Sequence, residues 1–181
     1  MAHAQVTMAP SDGKPRIWDW MFLLLLASCL VGAAYVGVLA YREGAKTEAT
    51  KRTGEAWLLW LTENGPVRSS DDYPHPACAA RAGATWGVCQ TWLLGSEGPF
   101  HQQRNAYADE PIRVTASCGG TDRAVAGLVA LEKVTPLPPG AVVPFVVAPL
   151  GAQDSISERT TIRIVVCNKD ASPIRVGEVE F

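Results

Sequence analysis

The hydrophobic positions of this chain follow two patterns, an unbroken apolar run near the N-terminus and then short apolar runs separated by turn residues. Met21 to Ala40 is a stretch of 20 residues without a charge. A helix rises about 1.5 Å per residue, so this stretch is long enough for the roughly 30 Å hydrocarbon core of a bilayer. The pattern predicts a tail over residues 1–19 and a transmembrane helix over residues 20–41.

The apolar run also contains two cleavage patterns. Leu26-Ala27-Ser28-Cys29 matches a lipobox, which would make Cys29 the lipid-carrying first residue of the mature chain, and Val31-Gly32-Ala33 matches an ordinary secretory cleavage site. A lipoprotein usually turns polar after its cysteine, whereas this chain stays apolar to Tyr41. The leader is also long and weakly basic for a signal peptide. We prefer the uncut helix, and both cleavage alternatives stay open.

Charges of alternating sign follow the apolar run at helical spacing, as in Glu43 with Lys46 and Glu48 with Arg52. Asn64-Gly65-Pro66 is a stop signal for a helix. Residues 42–65 are therefore predicted to form a helical stalk. Near its end, Trp57 and Trp60 lie in the apolar stretch "AWLLWL". Aromatic residues at helical spacing usually pack in a core, and the alternative is that Trp57 and Trp60 form a partner surface.

Residues 66–181 are predicted to form one β-rich domain. Six short runs alternate with turn signals: TWGVCQTWLL, PIRVTASC, AVAGLVALEKV, AVVPFVVAPL, TTIRIVVCN and PIRVGEVEF. This spacing is typical of an antiparallel sheet or sandwich, so the predicted fold class is α+β with a sandwich-like domain. In the last run the apolar parity changes, which predicts a bulge near Gly177-Glu178.

Four of the five cysteines lie beyond the apolar run, an even number that fits two disulfides in an oxidising compartment. The preferred pairs are Cys78 with Cys89 and Cys118 with Cys167. The parity of Cys167 conflicts with that of Ile162, Ile164 and Val166, so that strand is either buried on both faces or carries a bulge before the cysteine. Four reduced, buried thiols are the alternative.

No arrangement of residues predicts an enzyme, a cofactor or a metal site. Ser117 lacks the context of a nucleophile elbow. His75 and Cys78 are close in sequence, but no second ligand pair completes a metal site. The adjacent carboxylates Asp71-Asp72 and Asp109-Glu110 fit solvated turns better than acid–base catalysis. The net charge of −2, with both signs interspersed, argues against nucleic acid as a partner.

The orientation of the anchor follows from two opposing signals. More Lys and Arg residues follow the apolar run than precede it, where only Lys14 and Arg16 are found, and this count mildly favours a cytoplasmic C-terminal domain. Large domains translocate largely regardless of charge, and the four distal cysteines favour the outside. We therefore predict a bacterial inner-membrane protein with a cytoplasmic tail over residues 1–19 and a periplasmic domain.

The leading functional hypothesis is a single-pass envelope protein whose domain binds another envelope protein or self-associates. The plan of a long apolar N-terminal helix leading into a disulfide-bearing β domain resembles that of type IV pilins, which implies a filament or secretion-system subunit. Pilins have a leader ending in Gly just before the apolar run and a Glu at the fifth mature position, and this chain has neither. A membrane-tethered hydrolase or redox protein is the third hypothesis.

Overall fold

The computed structural model describes residues 17–119 and 123–181. The chain divides into two compact units, residues 1–43 and residues 44–181, which are treated separately below. Helix α1, Ile17–Asn64, contributes residues to both units. Of the predicted tail, residues 1–16 lie outside the described residues, and residues 17–19 already belong to α1.

The described part of the first unit, residues 17–43, is helical, and almost all of its side chains are exposed. This part of α1 is long and apolar enough to cross a membrane, and it includes the predicted residues 20–41. The hydroxyl of Ser28 has a partner within this helix, because its Oγ donates a hydrogen bond to the carbonyl of Leu25 at 2.8 Å. A hydroxyl satisfied within its own helix costs little in hydrocarbon.

In the second unit, residues 44–64 of α1 form a core element of the domain. Four buried residues, Thr50, Gly54, Trp57 and Leu61, follow one another at spacings of three or four and therefore lie on one face of the helix. The compact unit thus begins at Gly44, within the segment 42–65 predicted as a stalk and before the predicted start of the domain at residue 66. The charge pattern marked the solvated face, while the sparse apolar positions marked the packed face.

Five strands form one mixed sheet: β1 Val114–Thr115, β2 Val129–Pro136, β3 Phe145–Pro149, β4 Thr161–Cys167 and β5 Pro173–Glu180. The order is β1-β2-β4-β5, and β3 pairs with β2 on the same edge as β1. All pairings are antiparallel except β1 with β2. The described strands form a single sheet whose second layer is helical, so the sandwich-like expectation is not confirmed.

The run TWGVCQTWLL forms helix α2, Trp86–Leu94, and not the predicted strand. Its buried residues Trp86, Cys89 and Leu93 recur at the spacing of a helix. Aromatic and β-branched residues made the run resemble a strand, but burial on one helical face determined the outcome.

The core lies between α1, α2 and one face of the sheet. Alternate residues of β2 and β4 on the helix-facing side pack with Trp57 and Leu61 of α1: Val129, Leu131, Ile162, Ile164 and Val166. On β5, Gly177 lies opposite Ile164 and Arg175 lies opposite Val165, which leaves Val176 as the extra residue of a bulge. This is the bulge predicted from the parity change, shifted by one residue.

The structure contains the disulfides Cys78–Cys89 and Cys118–Cys167, the two pairs preferred from sequence. Their Cα atoms are 4.5 and 5.3 Å apart. The conflicting parity of Cys167 is explained by burial, because consecutive residues from Ile164 to Cys167 are all buried. The C-terminal half of β4 is thus covered on both faces, which is the first of the two alternatives above.

Candidate interaction surface

The tryptophans suggested as a partner surface belong to the core. Trp57 is completely buried, and its ring stacks on Phe100 with centroids 4.3 Å apart. Trp60 is partly buried, with ring centroids 6.1 Å from Trp92 and 5.9 Å from Phe181. The core interpretation therefore holds for Trp57, and Trp60 forms part of an aromatic cluster that leaves it only partly accessible.

The segment around His75 does not assemble a metal centre from the residues considered in the sequence. Cys78 and Cys89 are joined in a disulfide and are not free thiolate ligands. The His75 ring lies 4.6 Å from the ring of Trp92, as part of the aromatic cluster. Within residues 17–119 and 123–181, no three His, Cys, Asp or Glu side chains are grouped so that they could hold a metal ion.

Contacts between α1 and the sheet relate positions along the helix to positions along the strands, and so define two ends of the domain. A Cβ atom at Gly54 would lie 2.7 Å from Val166 and Val176, near the start of β5 and the end of β4. A Cβ atom at Gly65 would contact Glu180 and Phe181, near the end of β5. The end of the domain near Asn64, which we call the distal end, therefore contains the end of β2 and the start of β4.

A hairpin formed by β2, β3 and the loop between them carries an exposed apolar surface at the distal end. We call residues 136–149 the distal hairpin. Its loop includes Gly140, whose φ of 96° suits glycine. Four large apolar side chains are exposed on it: Val142, Val143, Phe145 and Val146. Val142 is fully exposed. Contiguous exposed apolar residues on a folded domain commonly mark an interaction site.

Strand β3 is an edge strand, since β2 is its only pairing partner among the described residues. The amide of Leu137 donates to the carbonyl of Pro144 at 2.9 Å, and that of Leu150 donates to Leu131 at 2.8 Å. Hydrogen-bonded and non-hydrogen-bonded pairs alternate along an antiparallel ladder, so the main-chain groups of Val146 and Ala148 bond to β2.

The same alternation places the amides and carbonyls of Phe145 and Val147 on the open side of β3. The exposed apolar side chains of the distal hairpin thus lie beside unpaired backbone donors and acceptors. The edge is short, since β3 has five residues with Pro144 before it and Pro149 at its end, and natural proteins commonly limit open edges in this way.

The outer face of the sheet supports the base of the hairpin through charged side chains. Arg163 lies between two carboxylates, 2.6 Å from Glu178 and 3.7 Å from Glu132. Its guanidinium also lies 5.3 Å from the ring centroid of Phe145. The Arg163 side chain is mostly buried by these neighbours, so it connects β2, β4 and β5 with the first residue of β3.

A cavity of about 510 Å³ lies beside the distal hairpin, between the end of β2 and the loop before β4. Its lining is rich in hydroxyl groups, and Ser155 Oγ lies 2.7 Å from Ser157 Oγ. Lys133 Nζ, on the other wall, lies 3.9 Å from Asp154. The cavity is open and polar, in contrast to the apolar hairpin next to it.

The buried Arg68 fixes the loop that forms one wall of this cavity. Its guanidinium donates hydrogen bonds to the carbonyls of Ile156 and Glu158, the latter at 2.9 Å, and lies 4.4 Å from the Phe181 ring centroid. Burial lowers the pKa of Arg68, while the neighbouring Tyr73 opposes that shift. This role could not be predicted from sequence, because Arg68 lies in a polar, turn-like segment.

Comparison of the chain with protein-family models, with curated protein sequences and with solved structures finds no match.

Proposed function

We propose that this chain is a non-enzymatic, single-pass envelope protein that presents its domain to another protein of the envelope. The observation that carries the proposal is the distal hairpin, where four large apolar side chains are exposed beside an open strand edge. Exposed apolar patches on soluble domains mark sites that a partner covers. Its role would be that of an adaptor or a structural link.

Within the unit that begins at Gly44, the distal hairpin lies at the opposite end from that residue. The chain leaves the apolar run at Tyr41 and enters the domain at Gly44, three residues later. The hairpin is level with Asn64, about 30 Å further along α1 at the usual helical rise. Its apolar side chains therefore lie at the end of the domain away from the attachment point.

The two disulfides support placing the domain in an oxidising compartment, and a bacterial periplasm reached from the inner membrane is the proposed location. Alkylating the native protein in membranes before and after reduction tests this placement. We expect the four cysteines of the domain to be unreactive without a reductant, and all four to react after reduction and unfolding. Four reactive domain thiols in the untreated protein would contradict the periplasmic location.

The interaction itself is tested by crosslinking in intact membranes, comparing the wild type with a hairpin variant and a matched control. The hairpin variant is Val142→Ser with Val143→Ser, and the control is Val88→Ser, which changes an exposed valine of α2. We expect a discrete crosslinked complex in the wild type and the control, and its loss in the hairpin variant. An equal yield of complex from all three proteins would refute the hairpin as the binding surface.

A second candidate function, a pilin-like filament subunit, is favoured by one observation. Helix α1 is 48 residues long, and its first part is exposed while residues 44–64 pack in the domain. This matches the plan for which the sequence resembles type IV pilins. N-terminal sequencing of the native protein, together with isolation of surface filaments, tests it. An intact leader on the assembled subunit would exclude this alternative.

A further inference from the structure

We infer that the partner binds the distal hairpin by adding an extended strand to the open edge of β3. This inference rests on the proposed function and specifies how the same surface binds. The occupant is an uncharged, extended segment of a different protein. Such β-strand addition takes its affinity from main-chain hydrogen bonds and its specificity from alternate side chains.

The unpaired main-chain groups of β3 match those of a neighbouring strand. Phe145 and Val147 each present an amide and a carbonyl on the open side of β3, two residues apart, as one strand of an antiparallel or parallel ladder requires. Pro149 presents a carbonyl there but has no amide to donate. A partner strand of about five residues would therefore cover this edge from Phe145 to Pro149.

The side chains determine the chemistry of that strand. Residues 144–149 read PFVVAP and carry no charge. Phe145 lies on the outer face of the sheet, and Val146 projects to the opposite face. Each of the two residues is more than two-fifths exposed. A partner strand with apolar residues on both faces would cover them, whereas a charged residue opposite them would lose hydration without gaining an ion pair.

A second copy of this chain is a poor occupant for geometric reasons. In an antiparallel pair of β3 strands, a two-fold axis perpendicular to the strands would point the Gly44 ends of the two domains in opposite directions. Two copies anchored in one membrane through residues next to Gly44 cannot adopt that arrangement. A symmetric parallel pair of β3 strands fails as well. Two-fold symmetry would place each outward residue directly opposite its own copy, whereas a parallel ladder needs the outward residues of the two strands offset by one residue.

The test uses a proline that removes an outward donor and leaves the β2 ladder intact. Proline is tolerated on an edge strand where its nitrogen faces solvent, and the amide of Val147 does so. The full chain is made with a photoreactive phenylalanine derivative at position 145, and adducts formed in native membranes are compared among the parent, Val147→Pro and Val147→Ala. Val147→Ala removes part of the side chain and keeps the amide.

We expect one discrete adduct in the parent. Val147→Pro should reduce the yield of adduct about tenfold or more, because a main-chain hydrogen bond and its flanking pair are lost, whereas Val147→Ala should reduce the yield less than threefold. Hydrogen exchange of the purified complex gives an independent readout. Binding should slow the amides of Phe145 and Val147, whereas Val146 and Ala148 should be protected with and without the partner. Thermal unfolding of Val147→Pro shows that the variant is folded. With the photoreactive group moved to position 142, Phe145→Pro repeats the test at the other outward amide.

The outcomes separate this inference from the proposed function. An adduct that persists in Val147→Pro would overturn strand addition and leave the distal hairpin as a side-chain docking surface. An adduct with twice the mass of the chain would overturn the choice of a different protein. If photoreactive groups placed in turn at Val142, at Phe145 and at Val88 all fail to yield an adduct in native membranes, the proposed adaptor function fails together with the inference.

Discussion

At the scale of single residues, Arg68 has the most consequential buried contacts of the domain. It is 2 % exposed, and within the described residues it forms no ion pair with a carboxylate. Its donors go to two backbone carbonyls of the loop before β4 instead. A buried charge that is satisfied by carbonyls and an aromatic ring is expensive to disrupt, since its partners would lose their hydrogen bonds out of reach of water.

Replacing Arg68 should therefore destabilise the domain. We expect Arg68→Met, which keeps the length of the side chain and removes its donors, to lower the free energy of unfolding by about 2–4 kcal/mol. Chemical denaturation of the full chain in detergent measures the change. The control is Arg81→Met, the same substitution at an exposed arginine, which should change stability by no more than about 0.5 kcal/mol. Equal stabilities of the two variants would contradict the role of Arg68.

Tyr73 should make stability depend on pH in the alkaline range. Its hydroxyl donates to Asn64 Oδ1 at 2.9 Å, and burial raises the pKa of Tyr73 to about 12, although the charge of Arg68 opposes the shift. An unfolded tyrosine has a pKa of about 10. Between these values the unfolded state loses its proton first, so stability is fully present below about pH 10 and falls as the pH rises towards about 12.

The matched comparison is Tyr73→Phe, which cannot titrate. The difference in melting temperature between the wild type and Tyr73→Phe should be constant up to about pH 10 and then shrink as the pH rises. Rapid thermal melts over this pH range check the prediction, and lysines or arginines that titrate in both proteins cancel in the difference. A difference that grows with pH would show that the pKa of Tyr73 is lowered in the folded state.

At the scale of elements, α1 and β5 approach each other closely because glycines line their contact. A Cβ atom at Gly54 would lie 2.7 Å from Val166 Cγ1 and Val176 Cγ2, and one at Gly177 would lie 2.6 Å from a methyl carbon of Leu58. A Cβ atom at Gly44 in the same helix would meet nothing within 4 Å. Gly54 and Gly44 thus have the same helix propensity and different surroundings.

This contrast predicts opposite effects of one substitution. Gly44→Ala should stabilise the helix by up to about 1 kcal/mol, through the higher helix propensity of alanine. Gly54→Ala should destabilise the domain by about 1–3 kcal/mol, because its methyl group would crowd two branched side chains that have little freedom to move. Urea unfolding of the two variants gives the comparison. If Gly54→Ala were as stable as Gly44→Ala, the helix would not lie this close to the sheet.

The elements also show why the sequence predicted some of this fold and missed the rest. β4 and β5 carried clear alternation and were predicted, as was the bulge near Gly177. α2 was predicted as a strand because its ten-residue run is rich in tryptophan and threonine, and short apolar runs fit both periods. The prolines in VTPLPPGAVVPF predicted a connection that leads into an edge strand, and β3 is one, but the residues that form its open side depend on the pairing with β2.

At the scale of the whole molecule, the apolar part of α1 and the compact unit that begins at Gly44 are adjacent along the chain. The sequence marked a change of composition at Asn64-Gly65-Pro66 and placed a boundary there, because charged residues of alternating sign dominate residues 42–55. The compact unit instead begins at Gly44. Only tertiary packing reveals this, since a helix with few apolar positions can still bury one complete stripe against a sheet.

Two truncated chains test where the domain begins. Residues 44–181 retain Trp57 and Leu61 with the rest of the core, and we expect this fragment to be soluble, monomeric and cooperative in urea unfolding. Residues 66–181, the domain predicted from sequence, lack both side chains. Each fully buried large apolar side chain removed from a core costs about 2–5 kcal/mol, so losing these two alone costs about 4–10 kcal/mol, which is comparable to the usual stability of a domain, about 5–15 kcal/mol.

We therefore expect the fragment 66–181 to lack dispersed amide resonances and a cooperative transition, even with both disulfides formed. Adding a synthetic peptide of residues 44–65 should restore the signals of the sheet, because the missing layer is contained in that segment. The same peptide with Trp57→Ser and Leu61→Ser, which keeps the charged face, is the control and should restore nothing. A fragment 66–181 that folded without the peptide would mean that residues 44–65 are a stalk after all.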